Sequence, residues 1–90
     1  MFGDFMGKIQ EAQKQMEETK KQLSSMFVDS EVEGGLVKVK ADCNLKIINI
    51  DISDQLFQNK DKQELEDLVI LAVNKAIEKA KETQEVEMSK

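Results

Sequence analysis

The spacing of apolar residues changes twice along this chain, and that limits the fold more than any other feature. Phe2, Phe5, Ile9, Ala12, Met16, Thr19, Leu23 and Met26 recur every three or four residues. This is a heptad seam on one helix, predicted over residues 4–26, with Asp4 able to cap its start. Its other faces are Lys, Gln and Glu. The seam is narrow, so the helix packs along a line, as a hairpin arm or coiled-coil strand does; a solvated amphipathic helix packed on its own domain fits the pattern equally well.

From residue 27 to 52 the period becomes two, which predicts strands. In "LVKVKAD" Val37, Val39 and Ala41 share one face and Lys38 and Lys40 the other. In "LKIINIDI" Ile48, Ile50 and Ile52 share a face opposite Leu45 and Ile47. Gly34-Gly35 reads as a two-residue hairpin turn needing positive φ. Asp42-Cys43-Asn44 reads as the second turn, because Asp and Asn side chains bond nearby backbone. Three strands joined by short turns give an antiparallel meander. Its lysines mark the face open to water or a partner, and its valines mark the buried one.

Residues 53–61, "SDQLFQNKD", read as a polar connection. Asp61 and Glu64 form a capping-box-like start to a second helix, from about 62 to 85. Leu65, Leu68, Val69, Ala72, Ala76 and Ala80 make one apolar stripe. Ile70, Val73 and Ile77 make a second beside it, extended by Leu71. One sheet face covers one stripe, so the second calls for another cover. A ninety-residue chain has a thin core and little material for that cover. The expectation is a single α+β domain over residues 1–90, ordered helix, three-stranded antiparallel meander, helix. It is further expected to form a homodimer through Ile70, Val73 and Ile77, with sheets and second helices meeting.

Composition removes much chemistry. The chain has no His and no Arg, and one Cys, Cys43. A Ser-His-Asp or Cys-His arrangement is impossible within it, and so is histidine acid–base catalysis. One cysteine forms no intrachain disulfide, which fits a reducing, cytoplasmic compartment. No apolar run approaches the roughly 20 residues that span a bilayer. The start, "MFGDFMGK", lacks a basic segment followed by an apolar one, so no signal peptide is expected.

Candidate sites are few. The run from Asp51 to Lys62 fails as a calcium loop, with Leu56 where the loop needs Gly and Lys62 where it needs Glu. Glu64, Glu66 and Asp67 lie in a first helical turn, where the macrodipole favours negative charge. Cys43 reads as a turn residue without a reactive role. No enzyme, cofactor, metal or small-molecule substrate is expected. The lysines remain: Lys8, Lys14, Lys20 and Lys21 on the first helix, and Lys75, Lys79 and Lys81 late on the second. Read functionally they are phosphate contacts; read structurally they keep helices soluble. Residues 1–26 hold four Lys against four acidic residues, a neutral segment in a chain of net charge −5.

Three stretches in order, "MFGDFMGKIQEAQKQMEE", "GGLVKVKADCNLKIINIDIS" and "DKQELEDLVILAVNKAIEKAKE", resemble the YbaB/EbfC family of nucleoid-associated proteins. The resemblance covers nearly the whole chain. It implies a small cytoplasmic homodimer shaped like tweezers, with helical arms projecting from a central sheet region. It also implies binding to double-stranded DNA in the nucleoid through those arms. On that reading the seven helical lysines contact phosphates with little sequence preference. The net charge favours a different class, a dimeric protein-interaction scaffold that binds no DNA.

Overall fold

The computed structural model describes residues 2–90, with side chains from Gly3 onward, so the Phe2 side chain that opens the seam lies outside the described residues. The elements run α1 (Phe2–Ser24), β1 (Phe27–Val32), β2 (Val37–Asp42), β3 (Ile47–Ile52), α2 (Asp54–Gln58) and α3 (Lys62–Met88). The strands form an antiparallel sheet in the order β1-β2-β3, so the fold is the expected α+β meander between helices.

The core lies between one sheet face and α3. Val32, Val37, Val39 and Ala41 face Ala72, Ala76 and Ala80, with Leu56 closing one end. Alanine at four-residue spacing gives α3 a flat, small-residue ridge, which lets its backbone approach the sheet. Ser30, buried among these residues, donates its hydroxyl to the Ala72 carbonyl at 2.7 Å and ties β1 to the helix.

The opposite sheet face is open. In register, Lys38 lies between Glu31 and Asp51, and Lys40 between Asp29 and Asn49. The Lys40 ammonium also stands 4.9 Å from the centre of the Phe27 ring. Evenly threaded charges therefore place unlike neighbours across strands, which favours this pairing. The result is an alternating surface, not a positive one.

Four details differ from the sequence expectations. Helix α1 begins before Asp4, which lies in its first turn rather than at its cap. The first hairpin loop has four residues, Glu33 to Leu36, and three of them take positive φ: Glu33 at 50°, Gly34 at 67° and Gly35 at 94°. Two adjacent glycines relieve most of that left-handed run, which other side chains resist. The polar connection contains α2: the Ser53 side chain accepts from the Leu56 amide, and that cap starts one short turn that buries Leu56. Lastly, a bulge between Lys40 and Ala41 slips the β3 register. The slip turns Ile47 into the core beside Ile52 and leaves Ile48 exposed. An extra residue inverts the alternation on one side of it, so strict period two misassigns Ile47 and Ile48.

The molecule is long. Its radius of gyration is 18.5 Å, against about 12 Å for a compact chain of this length. The extents are 67 × 21 × 16 Å. The length comes from α1 and α3, helices of 23 and 27 residues beside strands of six.

Candidate nucleic-acid interface

Every residue of α1 from Gly3 to Glu18 is exposed; Thr19 is half-buried and Leu23 is buried. The helix is thus anchored at its C-terminal end and free along most of its length. Phe5, Met6, Ile9 and Met16 are exposed apolar residues on this arm. Where α1 meets the end of α3, Ala12, Met16 and Leu23 line an open groove with Gln84 and Met88.

The anchor is a set of hydrogen bonds around the β2–β3 turn. The Cys43 amide donates to both the Leu23 carbonyl (3.1 Å) and the Met26 carbonyl (3.0 Å). The Asn44 side-chain amide donates to the Lys20 carbonyl at 2.9 Å. From the other side, the Gln84 side-chain amide of α3 donates to the Cys43 carbonyl at 3.1 Å. Carbonyls in the last turn of a helix lack intrahelical partners, and the turn supplies some of them. The turn is itself held by Asp42, whose carboxylate accepts from the Asn44 and Lys46 amides. The Cys43 side chain is fully buried, and its thiol is pushed above its ordinary range by desolvation and then by the nearby Asp42 and Glu87 charges.

The candidate lysines separate into groups. Lys8, Lys14, Lys20 and Lys21 are exposed on α1, and Lys81 on α3. Lys14 and Lys21 are seven residues apart and share the row opposite the apolar seam. Asp4, Glu11 and Glu18, also at seven-residue spacing, fill the adjacent row. Lys75 and Lys79 are engaged differently. Their ammonium groups donate to backbone carbonyls of β1, to Glu31 at 3.2 Å and to Asp29 at 2.8 Å. They lie along the outer edge of the sheet, where lysine blunts strand-to-strand pairing.

The other flank of α3 is apolar. At 100° per residue, Val73 and Ile77 fall on the side of the alanine ridge away from Lys75 and Lys79, with Ile70 continuing that side. Val73 and Ile77 are half-buried and Ile70 is exposed. This flank faces toward β3. There Ile50 pairs in register with the buried Val39, yet it remains exposed because α3 packs over β1 and β2. Sequence reasoning identified the helical half of this patch. It missed the exposure of Ile50, which depends on where α3 crosses the sheet.

Charge differs by element. α3 carries four lysines against seven acidic side chains, whereas α1 through Met26 is balanced. Among the described residues no three metal-ligating side chains converge, and no helix is long and apolar enough to cross a membrane.

The sequence profile of the YbaB/EbfC DNA-binding family matches residues 1–90. The chain belongs to that family. A nucleoid-associated protein of Flavobacterium johnsoniae is 40% identical over 83 residues, covering 92% of this chain and 76% of the relative. One from Chlorobaculum parvum is 34% identical over 89 residues, covering 99% and 78%. One from Neisseria meningitidis serogroup C is 38% identical over 90 residues, covering 92% and 81%. Among solved structures, an uncharacterized protein of Helicobacter pylori superposes with a TM-score of 0.82 at 19% identity, covering 94% of this chain and 89% of that one. At that identity the likeness is one of fold.

Proposed function

We propose that this protein is a nucleoid-associated DNA-binding protein that acts as a homodimer, with α1 as the arm that meets DNA. Family membership over the whole chain carries the reading. The exposure and length of α1, and its lack of the negative excess of α3, support placing the contact there. Lys8, Lys14, Lys20 and Lys21 are its phosphate contacts, and Lys81 is a secondary one. Lys75 and Lys79 hold the β1 edge instead and contribute little to DNA.

The dimer forms through the β3 side. Ile50, Ile70, Val73 and Ile77 give an apolar surface beside an edge strand that has no further partner among the described residues of the protomer. Stable homodimers bury more than roughly 1,200 Å² in total. Two protomers carry twice the net charge of −5, so the long-range field opposes approach to a polyanion. Affinity is therefore low, and because few contacts form its dependence on salt is shallow. Lysine lacks the bidentate fork that arginine presents to guanine, so sequence preference is small.

Fluorescence anisotropy with unrelated duplexes across a salt series tests this reading. Similar weak affinities are expected for all duplexes, with a log–log slope of about 0.9 per phosphate neutralised. Absence of binding at low salt overturns the DNA reading. The net charge and the exposed Phe5, Met6, Ile9 and Met16 then favour the second reading, a dimeric scaffold for another protein.

A further inference from the structure

A free helix is a useful arm only if something fixes its direction. α1 has no sheet beneath Gly3 to Glu18, and its groove against α3 is open. What fixes it lies at one point, where α1, the β2–β3 turn and α3 converge on Cys43 and Asn44. Asn44 reaches up to the Lys20 carbonyl, and Gln84 reaches across to the Cys43 carbonyl. The Gln22 side chain adds a longer contact to Glu87 at 3.5 Å. The turn between them is stiff, because Asp42 accepts two of its amides and Leu45 is held at φ 66°.

Leverage makes these bonds matter. From Lys20 to Phe2 the helix runs about 27 Å at 1.5 Å per residue. A tilt of about 15° at the anchor moves the tip by about 7 Å, more than twice a hydrogen-bond length. Bringing Lys14 and Lys21 back onto one backbone track then carries an ordering cost.

We propose that Asn44 and Gln84 are positioning residues that brace the α1 arm, linking it through the Cys43–Asn44 turn to α3 and so holding the row of Lys14 and Lys21 in a fixed direction. The DNA half of this inference rests on the α1 reading above; the mechanical half does not. Neither residue touches the nucleic acid. Their contribution is preorganisation, which raises affinity by lowering the ordering cost of binding.

The experiment compares the parent with Asn44→Ala/Gln84→Met. The double variant removes both donors and adds no charge. Spin labels at Gln10→Cys and Gln63→Cys, both exposed, report the arm-to-body distance by pulsed EPR. Dilution with unlabelled protein isolates the distance within one protomer, and the buried Cys43 stays unlabelled. A distance distribution at least about twice as wide is expected in the variant, with DNA affinity about tenfold lower at low salt and the salt slope unchanged. If the double variant does not fold, Gln84→Met alone is read the same way, with a smaller broadening. An unchanged width overturns the brace. A broadened distribution with unchanged affinity overturns the positioning role. A parent that binds no duplex overturns the α1 reading instead, and the width alone then decides the brace.

Discussion

α1 and α3 are helices of similar length with apolar repeats, yet only α3 belongs to the core. The difference lies in what the repeat is made of. α3 presents Ala72, Ala76 and Ala80 in a line, flanked by Leu65, Val69 and Val73. Small residues bring the backbone close and larger ones fill the sides, so the helix closes on the sheet. α1 spaces Phe5, Ile9 and Met16 with Ala12 and Thr19 on a narrower line, and no sheet lies beneath them. Apolar periodicity announces a helix; the sizes and width of the stripe decide whether it becomes a core helix or an arm. Charge follows the same division, with the acidic excess on α3 and balance on α1.

The largest expected effect breaks this contrast directly. Ala76→Glu puts a carboxylate at a fully buried position against the sheet. An unpaired buried charge costs several kcal/mol, so cooperative unfolding is expected to be lost or weakened by about 3–5 kcal/mol. Ala12→Glu, at an exposed α1 position, is expected to change stability by less than about 0.5 kcal/mol. Urea denaturation followed by far-UV circular dichroism measures both. Equal losses at the two positions would show that α1 is packed as tightly as α3.

The next contrast lies within α3. Ile77→Glu is expected to weaken dimerisation about a hundredfold, which is roughly 3 kcal/mol. Leu71, grouped with the Ile77 stripe by sequence, instead falls on the Lys75 side of the alanine ridge and is exposed, so Leu71→Glu is expected to leave the dimer intact. Sedimentation equilibrium reads both variants. A parent protein that is monomeric at micromolar concentration removes the dimer altogether.

The fold was largely legible because its signals are local. Alternation in Val37 to Ala41, the capping pair Asp61–Glu64 and the alanine stripe each follow from neighbours in sequence. The Asp61 carboxylate indeed accepts from the Glu64 amide at 3.1 Å. The misses involve relations across the chain. The bulge at Lys40 and Ala41 depends on how β3 meets β2, so period two alone placed Ile47 and Ile48 on the wrong faces. α2 is too short to show a period, although Ser53 three residues before Leu56 is a cap signal. For the site, the lysines were visible but not their engagement. Nothing near Lys75 or Lys79 in sequence reveals β1 carbonyls 44 and 50 residues away. Asn44 and Gln84 carried no signal beyond a turn residue and a helix-surface glutamine.

The lysines sharpen the comparison at a smaller scale. Lys14→Gln/Lys21→Gln on α1 is expected to lower DNA affinity severalfold and to flatten the salt slope by about 0.9 for each phosphate no longer neutralised. Lys75→Gln/Lys79→Gln on α3 is expected to leave the slope unchanged. Its effect is on the fold, about 1 kcal/mol or less through the missing bonds to the β1 edge. Salt-dependent anisotropy and thermal melting on the same samples separate the two. A flattened slope in the α3 pair would return Lys75 and Lys79 to the DNA surface.

The smallest expected effect concerns the joint between the two helices. Burial raises the Cys43 thiol above its ordinary value, with Asp42 and then Glu87 adding to it, so the folded state favours the neutral thiol. The unfolded chain ionises at its ordinary value, about 8.5. Stability from the buried thiol is therefore fully present below that pH and is lost as pH rises through the higher folded value. One proton limits the slope to about 1.4 kcal/mol per pH unit. All other side chains are shared with a Cys43→Ala variant, so their contributions cancel in the difference. Urea denaturation of parent and variant from pH 6 to 9.5 is expected to give a constant stability gap up to about pH 8, narrowing above it. Parallel curves across the range would mean that the thiol ionises as readily in the fold as outside it, and that water reaches the joint where the arm is anchored.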